Sequence, residues 1–246
     1  MKNHFLIIGL TLGLAAIAHS ATVGVENGGQ YTAGTWINGA AGNISNWYIT
    51  TGIGANSTIG DSSLNGRAGI GPTNAFYIVG NSPNQTFLDV YKPLGGALLV
   101  GQSVVVDANY LWNGGIRGVE LQTGAGPTNL FRFEQSDSDP IYLKIGAVDT
   151  QVVANAYQQA LTYTVTALSL TSVQVKATLF GSAVALVDQT VAVSALPDQL
   201  HFYAKGSTDS NAANFDNYGM FFNNLEVTAV PEPSTFALLG LGLAVV

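Results

Sequence analysis

The residues able to do chemistry are few and scattered. Acidic side chains concentrate once, in Glu134-Gln-Ser-Asp137-Ser-Asp139-Pro140. A glycosidase built on a β-sheet carries its acid and nucleophile at alternating strand positions, so that both reach one face and flank the glycosidic bond. Asp137 and Asp139 share strand parity, but Glu134 has the opposite parity, and Ser, Asp and Pro mark a turn. The stretch reads as a solvated loop. Asp137, Asp139 and the loop carbonyls are hard oxygen donors of the kind Ca²⁺ takes. The spacing matches no EF-hand, and no cofactor is expected. Of three histidines, His4 and His19 fall within the first 21 residues and only His201 lies beyond them, and there is no cysteine. His201 sits beside Phe202 in a strand-like segment and reads as a half-buried strand residue. No Gly-x-Ser-x-Gly elbow is present. One His without Cys cannot fill a tetrahedral zinc site unless carboxylates supply the rest. Gly69-Ile-Gly71-Pro72 and Gly124-Ala-Gly126-Pro127 are turns, because Pro prevents the helix start that a phosphate loop needs.

Sugar recognition has more material. Aromatic faces stack on the apolar C–H faces of sugar rings, and Asn or Asp reads the hydroxyls. Trp36, Trp47, Tyr48, Tyr110 and Trp112 lie in or near expected loops. The candidate carbohydrate-binding residues are Trp47, Tyr48, Asn109, Trp112 and Asn113, the last three forming one small loop cluster. The bland reading is that these aromatics fill a core, as most Trp do. Nucleic acid is excluded as a partner. Eight basic residues stand against fifteen acidic ones, for a net charge of −7. Phosphate binding needs clustered Lys and Arg, and here the basic residues are isolated.

The elements that would position these residues read as strands. Leu161, Tyr163, Val165 and Ala167 alternate with three Thr. Val173, Val175, Ala177 and Leu179 alternate with Gln174, Lys176 and Thr178. This period of two marks half-buried antiparallel strands. Further strands are expected over 31–35, 46–51, 75–79, 86–90, 103–112, 116–121, 130–134, 141–145, 184–193, 199–204 and 219–228. Asn38-Gly39, Asn65-Gly66 and Asn113-Gly114 are turn dipeptides. Residues 151–160 are the one internal stretch that could form a short helix. About twelve to fourteen short strands, with turns every 8–12 residues, predict an all-β fold: a two-sheet antiparallel β-sandwich.

Both ends differ from this body. Lys2 and His4 precede an apolar run, Phe5–Ala18, of fourteen residues. Ala18-His19-Ser20 then offers small residues at the −3 and −1 positions, so residues 1–21 read as a secretory signal peptide, with cleavage after Ser20 favoured over Ala18 or Ala21. At the other end, two X-Pro steps hold Val230-Pro231-Glu232-Pro233 extended. Ser234 can cap a helix, and Phe236–Val246 is apolar throughout. Its eleven residues make roughly 16 Å of helix, too short to span a bilayer. Residues 22–229 remain as one domain of 208 residues, large enough to fold on its core alone.

Val230-Pro-Glu-Pro-Ser234 followed by an apolar run resembles the PEP-CTERM sorting signal of Gram-negative bacteria. The resemblance implies recognition of Val230, Pro231, Glu232 and Pro233 by exosortase, a membrane processing enzyme. The family pattern continues with a full hydrophobic helix and an Arg-rich cluster. Here no Arg follows Arg132 and the chain stops at Val246, so the tail (230–246) reads as truncated before its basic cluster. The strand order over 30–228, closing with Asn214-Phe-Asp-Asn217 and Tyr218–Thr228, resembles the concanavalin A-like lectin/glucanase jelly roll. Together these imply an exported, non-catalytic protein of the bacterial surface or extracellular matrix, with transient membrane association through both termini, whose sandwich binds or packs with extracellular polysaccharide. The alternatives are a structural surface protein without a ligand, or a glycan-active enzyme. The last requires two carboxylates about 5–10 Å apart in a groove.

Overall fold

In the computed structural model, residues 22–32, 36–51, 56–62, 69–71, 74–80, 87–110, 115–124, 128–136, 140–155, 159–206 and 219–228 are described. Residues 1–21 and 229–246 lie outside them. In chain order the strands are β1 (Thr22–Glu26), β2 (Tyr48–Thr51), β3 (Asn56–Asp61), β4 (Asn74–Val79), β5 (Phe87–Pro93), β6 (Ser103–Tyr110), β7 (Ile116–Thr123) and β8 (Thr128–Ser136). Then come β9 (Ile141–Ile145), β10 (Val148–Val153), β11 (Ala160–Ser169), β12 (Ser172–Leu179), β13 (Ala185–Ala192), β14 (Gln199–Lys205) and β15 (Gly219–Thr228). Among the described residues, a single 3-10 turn, Gly28–Gln30, follows β1.

The strands form two antiparallel sheets, as the alternation predicts. The eight-stranded sheet runs β13-β12-β11-β6-β15-β4-β3, with β1 paired to β15. The seven-stranded sheet runs β10-β9-β8-β7-β14-β5-β2. Both late strands β14 and β15 enter the middle of a sheet, so neither sheet is complete until the C-terminal third of the chain arrives. Residues 151–153, the start of the stretch that could have been helical, belong instead to β10. Val148-Asp-Thr-Gln-Val-Val is rich in β-branched side chains, and it pairs with β9 through a tight hairpin. Tyr31 and Thr32 are not strand.

One parity of each strand faces between the sheets. Val104, Val106, Val119, Leu121, Leu200, Phe202 and Ala204 are all buried. Ring stacks bridge the two layers: Phe202 of β14 lies 3.8 Å from Phe222 of β15, and Phe133 of β8 lies 3.9 Å from Tyr163 of β11. The other parity of the seven-stranded sheet faces outward, and the polar residues collect there.

Candidate functional site

Register pairing places one residue from each of the seven strands in a row across that outer face: Tyr48, Tyr91, His201, Glu120, Arg132, Lys144 and Asp149. Paired residues share a face, because side chains alternate strictly along each strand. The adjacent row reads Thr50, Asp89, Tyr203, Gly118, Glu134, Tyr142 and Gln151. The next begins Phe87, Lys205, Ile116. The three rows enclose a groove of about 380 Å³, whose lining includes Phe87, Asp89, Glu120, Arg132, Glu134, His201 and Tyr203.

The groove has two charge centres. In the first, His201 is gripped from both sides. Its Nδ1 lies 2.8 Å from Glu120 Oε2 and its Nε2 2.8 Å from Asp89 Oδ1. Tyr91 stacks on the imidazole at 4.4 Å. Burial alone would lower the His201 pKa, but the hydrogen bonds and charges of Asp89 and Glu120 outweigh it and raise the value above 6.5. Gln122 donates to Glu120 Oε2 at 2.9 Å.

The second centre is Glu134. Its Oε1 accepts from Lys144 at 2.8 Å. Its Oε2 accepts from Arg132 Nε at 3.0 Å and from the Tyr203 hydroxyl at 2.7 Å. Burial pushes the Glu134 carboxyl up, yet Lys144, Tyr203 and Arg132 together hold it below its usual value. Burial and the Glu134 charge hold the Tyr203 hydroxyl protonated, well above 10.

Gly118 makes the Tyr203–Glu134 contact possible. It stands between them in the row, and a Cβ there would lie 2.5 Å from the Tyr203 hydroxyl and collide with the Phe133 carbonyl. Only a residue without a side chain lets the phenol cross β7 to reach β8.

The residues singled out from sequence fare differently. Trp47 is fully buried, T-stacked on Trp36, its Nε1 donating to the Tyr31 hydroxyl at 3.0 Å. It offers no face to a sugar, so the sugar-binding expectation for it is corrected. Asn109 is likewise buried in β6, between Ala160 and Phe221 of its neighbouring strands. Tyr48 is 51% exposed and ends the His201 row on the edge strand β2. Trp112, Asn113, Asp137, Asp139, Val230, Pro231, Glu232 and Pro233 lie outside the described residues. Among the described residues, no group of three or more His, Cys, Asp or Glu is arranged to hold a metal ion.

Sequence reasoning missed the groove itself. Its signal was present as i, i+2 pairs of polar or aromatic side chains, Asp89/Tyr91, Glu120/Gln122, Arg132/Glu134 and His201/Tyr203, on the parity opposite to core residues such as Leu88, Val119, Phe133 and Phe202. The missing information was that β14 inserts between β5 and β7.

Residues 229–246 match the family model of the PEP-CTERM protein-sorting motif. The chain carries a PEP-CTERM sorting signal. Such a signal implies an exported protein, directed to the cell envelope and processed by an exosortase, a membrane enzyme. No curated protein matches this chain. Among solved structures, the chain resembles a sialidase, with 10% identity and a TM-score of 0.57 over 87% of this chain. The chain spans only 19% of that sialidase. It also resembles an endo-β-1,4-glucuronan lyase from the fungus Trichoderma reesei, with 9% identity and a TM-score of 0.50, covering 85% of this chain and 96% of the lyase. Likeness at this identity shows the sandwich fold. Among the described residues, no helix is long and apolar enough to cross a membrane.

Proposed function

We propose that this chain is a surface or matrix component of a Gram-negative bacterium whose sandwich binds extracellular polysaccharide, without catalysis, in the groove on its seven-stranded sheet. The observation that carries this reading is the prearranged polar array beside exposed aromatic surface. Phe87, 50% exposed, and Tyr48 supply apolar faces. Beside Phe87, across β5, β14, β7 and β8, Asp89, Tyr203, Glu120, Arg132 and Glu134 line the groove and present fixed acceptors and donors. Sugar sites have this composition, since ring C–H faces need apolar contact and hydroxyls need polar partners. Glu134 carries two cations and a phenol and stays ionised, which suits an acceptor of sugar hydroxyls rather than a proton donor. The test is binding of the purified protein to a glycan array. Saturable binding to a defined glycan, lost in Phe87→Ala at unchanged melting temperature, supports the reading. Absence of saturable binding by a folded sample overturns it.

One observation favours a second reading, a glycan-active enzyme. Glu120 and Glu134 occupy diagonal positions on adjacent strands, a separation of about 7–8 Å between backbones. Glycosidase carboxylate pairs stand roughly 5–9.5 Å apart. New reducing ends or unsaturated products from any bound polysaccharide, abolished by Glu134→Gln, would establish this reading over the first.

A further inference from the structure

The two ends of the sandwich domain meet. Thr22, the first residue of β1, is the register partner of Thr228, the last residue of β15, and the Thr22 hydroxyl donates to Glu226 Oε1 at 2.5 Å. The apolar N-terminal stretch Phe5–Ala18 and the sorting motif 229–246 are therefore joined to neighbouring strands at one end of one sheet.

The surface at this end is apolar. Thr228 and Ser103 are hydrogen-bonded at the start of β6. Gly101 and Gln102, just before it, exchange backbone bonds with Ala167 of β11. Around this point Val23 is 60% exposed, Leu99 61% and Leu170 74%, with Val100 and Leu168 each 45% exposed. Scattered surface leucines need no explanation, but five large aliphatic side chains on one rim mark an interaction surface. The rim positions 22, 23, 99–103, 168–171 and 228 contain no Lys or Arg, and the nearest charge is Glu226. That composition suits the interface of an uncharged bilayer rather than anionic lipid or a charged protein partner.

Chain length brings the rim to a membrane. Eight residue steps lead from Thr228 to Phe236, the first residue of the apolar tail. At no more than about 3.6 Å each, they allow at most roughly 29 Å between the rim and the point where that tail enters lipid. We infer that the rim formed by Val23, Leu99, Val100, Leu168 and Leu170 docks the sandwich on the bilayer surface while the chain is tethered there. The groove is then left free: Phe87, Ile116 and Lys205 lie at the strand ends opposite this rim, because β6 starts at the rim and β7 starts at the far end. The inference is independent of what the groove binds.

The chain has no cysteine, so one introduced thiol can be labelled uniquely. Leu170→Cys at the rim and Val184→Cys at the opposite end of the same sheet are matched, since both native side chains are 74% exposed. Each full-length variant, carrying an environment-sensitive fluorophore, is reconstituted into phosphatidylcholine vesicles through its own tail. The expected result is a blue-shifted emission at position 170, quenched by brominated lipid, and an unshifted emission at position 184. No shift at position 170 overturns the inference. So do equal shifts at both positions, which would report general adsorption, and a shift at position 184 alone.

Discussion

Glu26 and Lys92 form an ion pair 2.8 Å apart, with both side chains fully withdrawn from water. Glu26 comes from β1 of the eight-stranded sheet and Lys92 from β5 of the seven-stranded one, so the pair fastens the two layers. Glu26 Oε1 also accepts from the Ile44 amide at 2.8 Å, and Oε2 accepts from the Tyr31 hydroxyl at 2.9 Å. Lys92 donates further to the Ser45 carbonyl and stands 4.4 Å over the Trp47 ring. Burial lowers the Lys92 pKa more than the Glu26 bond and charge restore it. Lys92→Met alone leaves a buried carboxylate without its cation, which costs about 3–5 kcal/mol. For a domain of this size 1 kcal/mol moves the melting temperature by about 2–4 °C, so the expected fall is roughly 6–20 °C. The double variant Glu26→Gln with Lys92→Met removes both charges. The glutamine amide oxygen retains an acceptor for the Ile44 amide, and the apolar methionine side chain fills the site beside Trp47. The double variant should recover most of the loss, because a buried pair replaced as a unit is close to neutral. The assay is a double-mutant cycle by urea unfolding. A single-variant cost under about 1 kcal/mol, or a double variant that loses the sum of the two single costs, would refute the argument that the pair is held by mutual compensation.

Other expectations concern the groove and the core behind it. Gly118→Ala forces the Tyr203 ring and the Phe133 carbonyl apart and should cost about 1–3 kcal/mol by overpacking; an unchanged unfolding midpoint would contradict the close approach. His201 has a folded pKa raised above 6.5, so its stabilising contribution is full below pH 6.5 and is lost as pH rises through the folded value. Melting curves of wild type and His201→Gln should therefore diverge most at acidic pH and converge toward alkaline pH; a gap that widens with rising pH would reverse the sign. Phe202→Ala removes one half of a stack that joins the sheets and should cost about 3–5 kcal/mol, read by the same unfolding assay.

The layers of the sandwich were legible because alternation is local. Tyr163, Val165 and Ala167 announce a buried face with no knowledge of the partner strand. The closing strand 219–228 was legible from its resemblance to the final strand of such sandwiches rather than from alternation, since its first five residues are all buried. The groove was not, because its chemistry depends on pairings between residues far apart in the chain. His201 meets Glu120 and Asp89 across 81 and 112 residues, and Glu26 meets Lys92 across 66. His201 read as a bland strand residue because its neighbours in sequence, Leu200 and Phe202, are core residues; its carboxylate partners come from other strands. Trp47 misled in the opposite sense. Its neighbours Asn46 and Tyr48 are exposed, and only its packing against Trp36, Phe76 and Lys92, all distant in sequence, buries its ring.

The central claim is that the groove holds polysaccharide. Its most direct test is an equilibrium titration of the purified protein with extracellular polysaccharide from the producing organism, run on wild type, Phe87→Ala, Arg132→Gln and the rim variant Leu170→Ser. The account predicts saturable binding by wild type and Leu170→Ser, and at least a tenfold loss, about 1.4 kcal/mol, in both groove variants at unchanged stability. Binding that survives both groove substitutions, or no saturable binding at all, would contradict it.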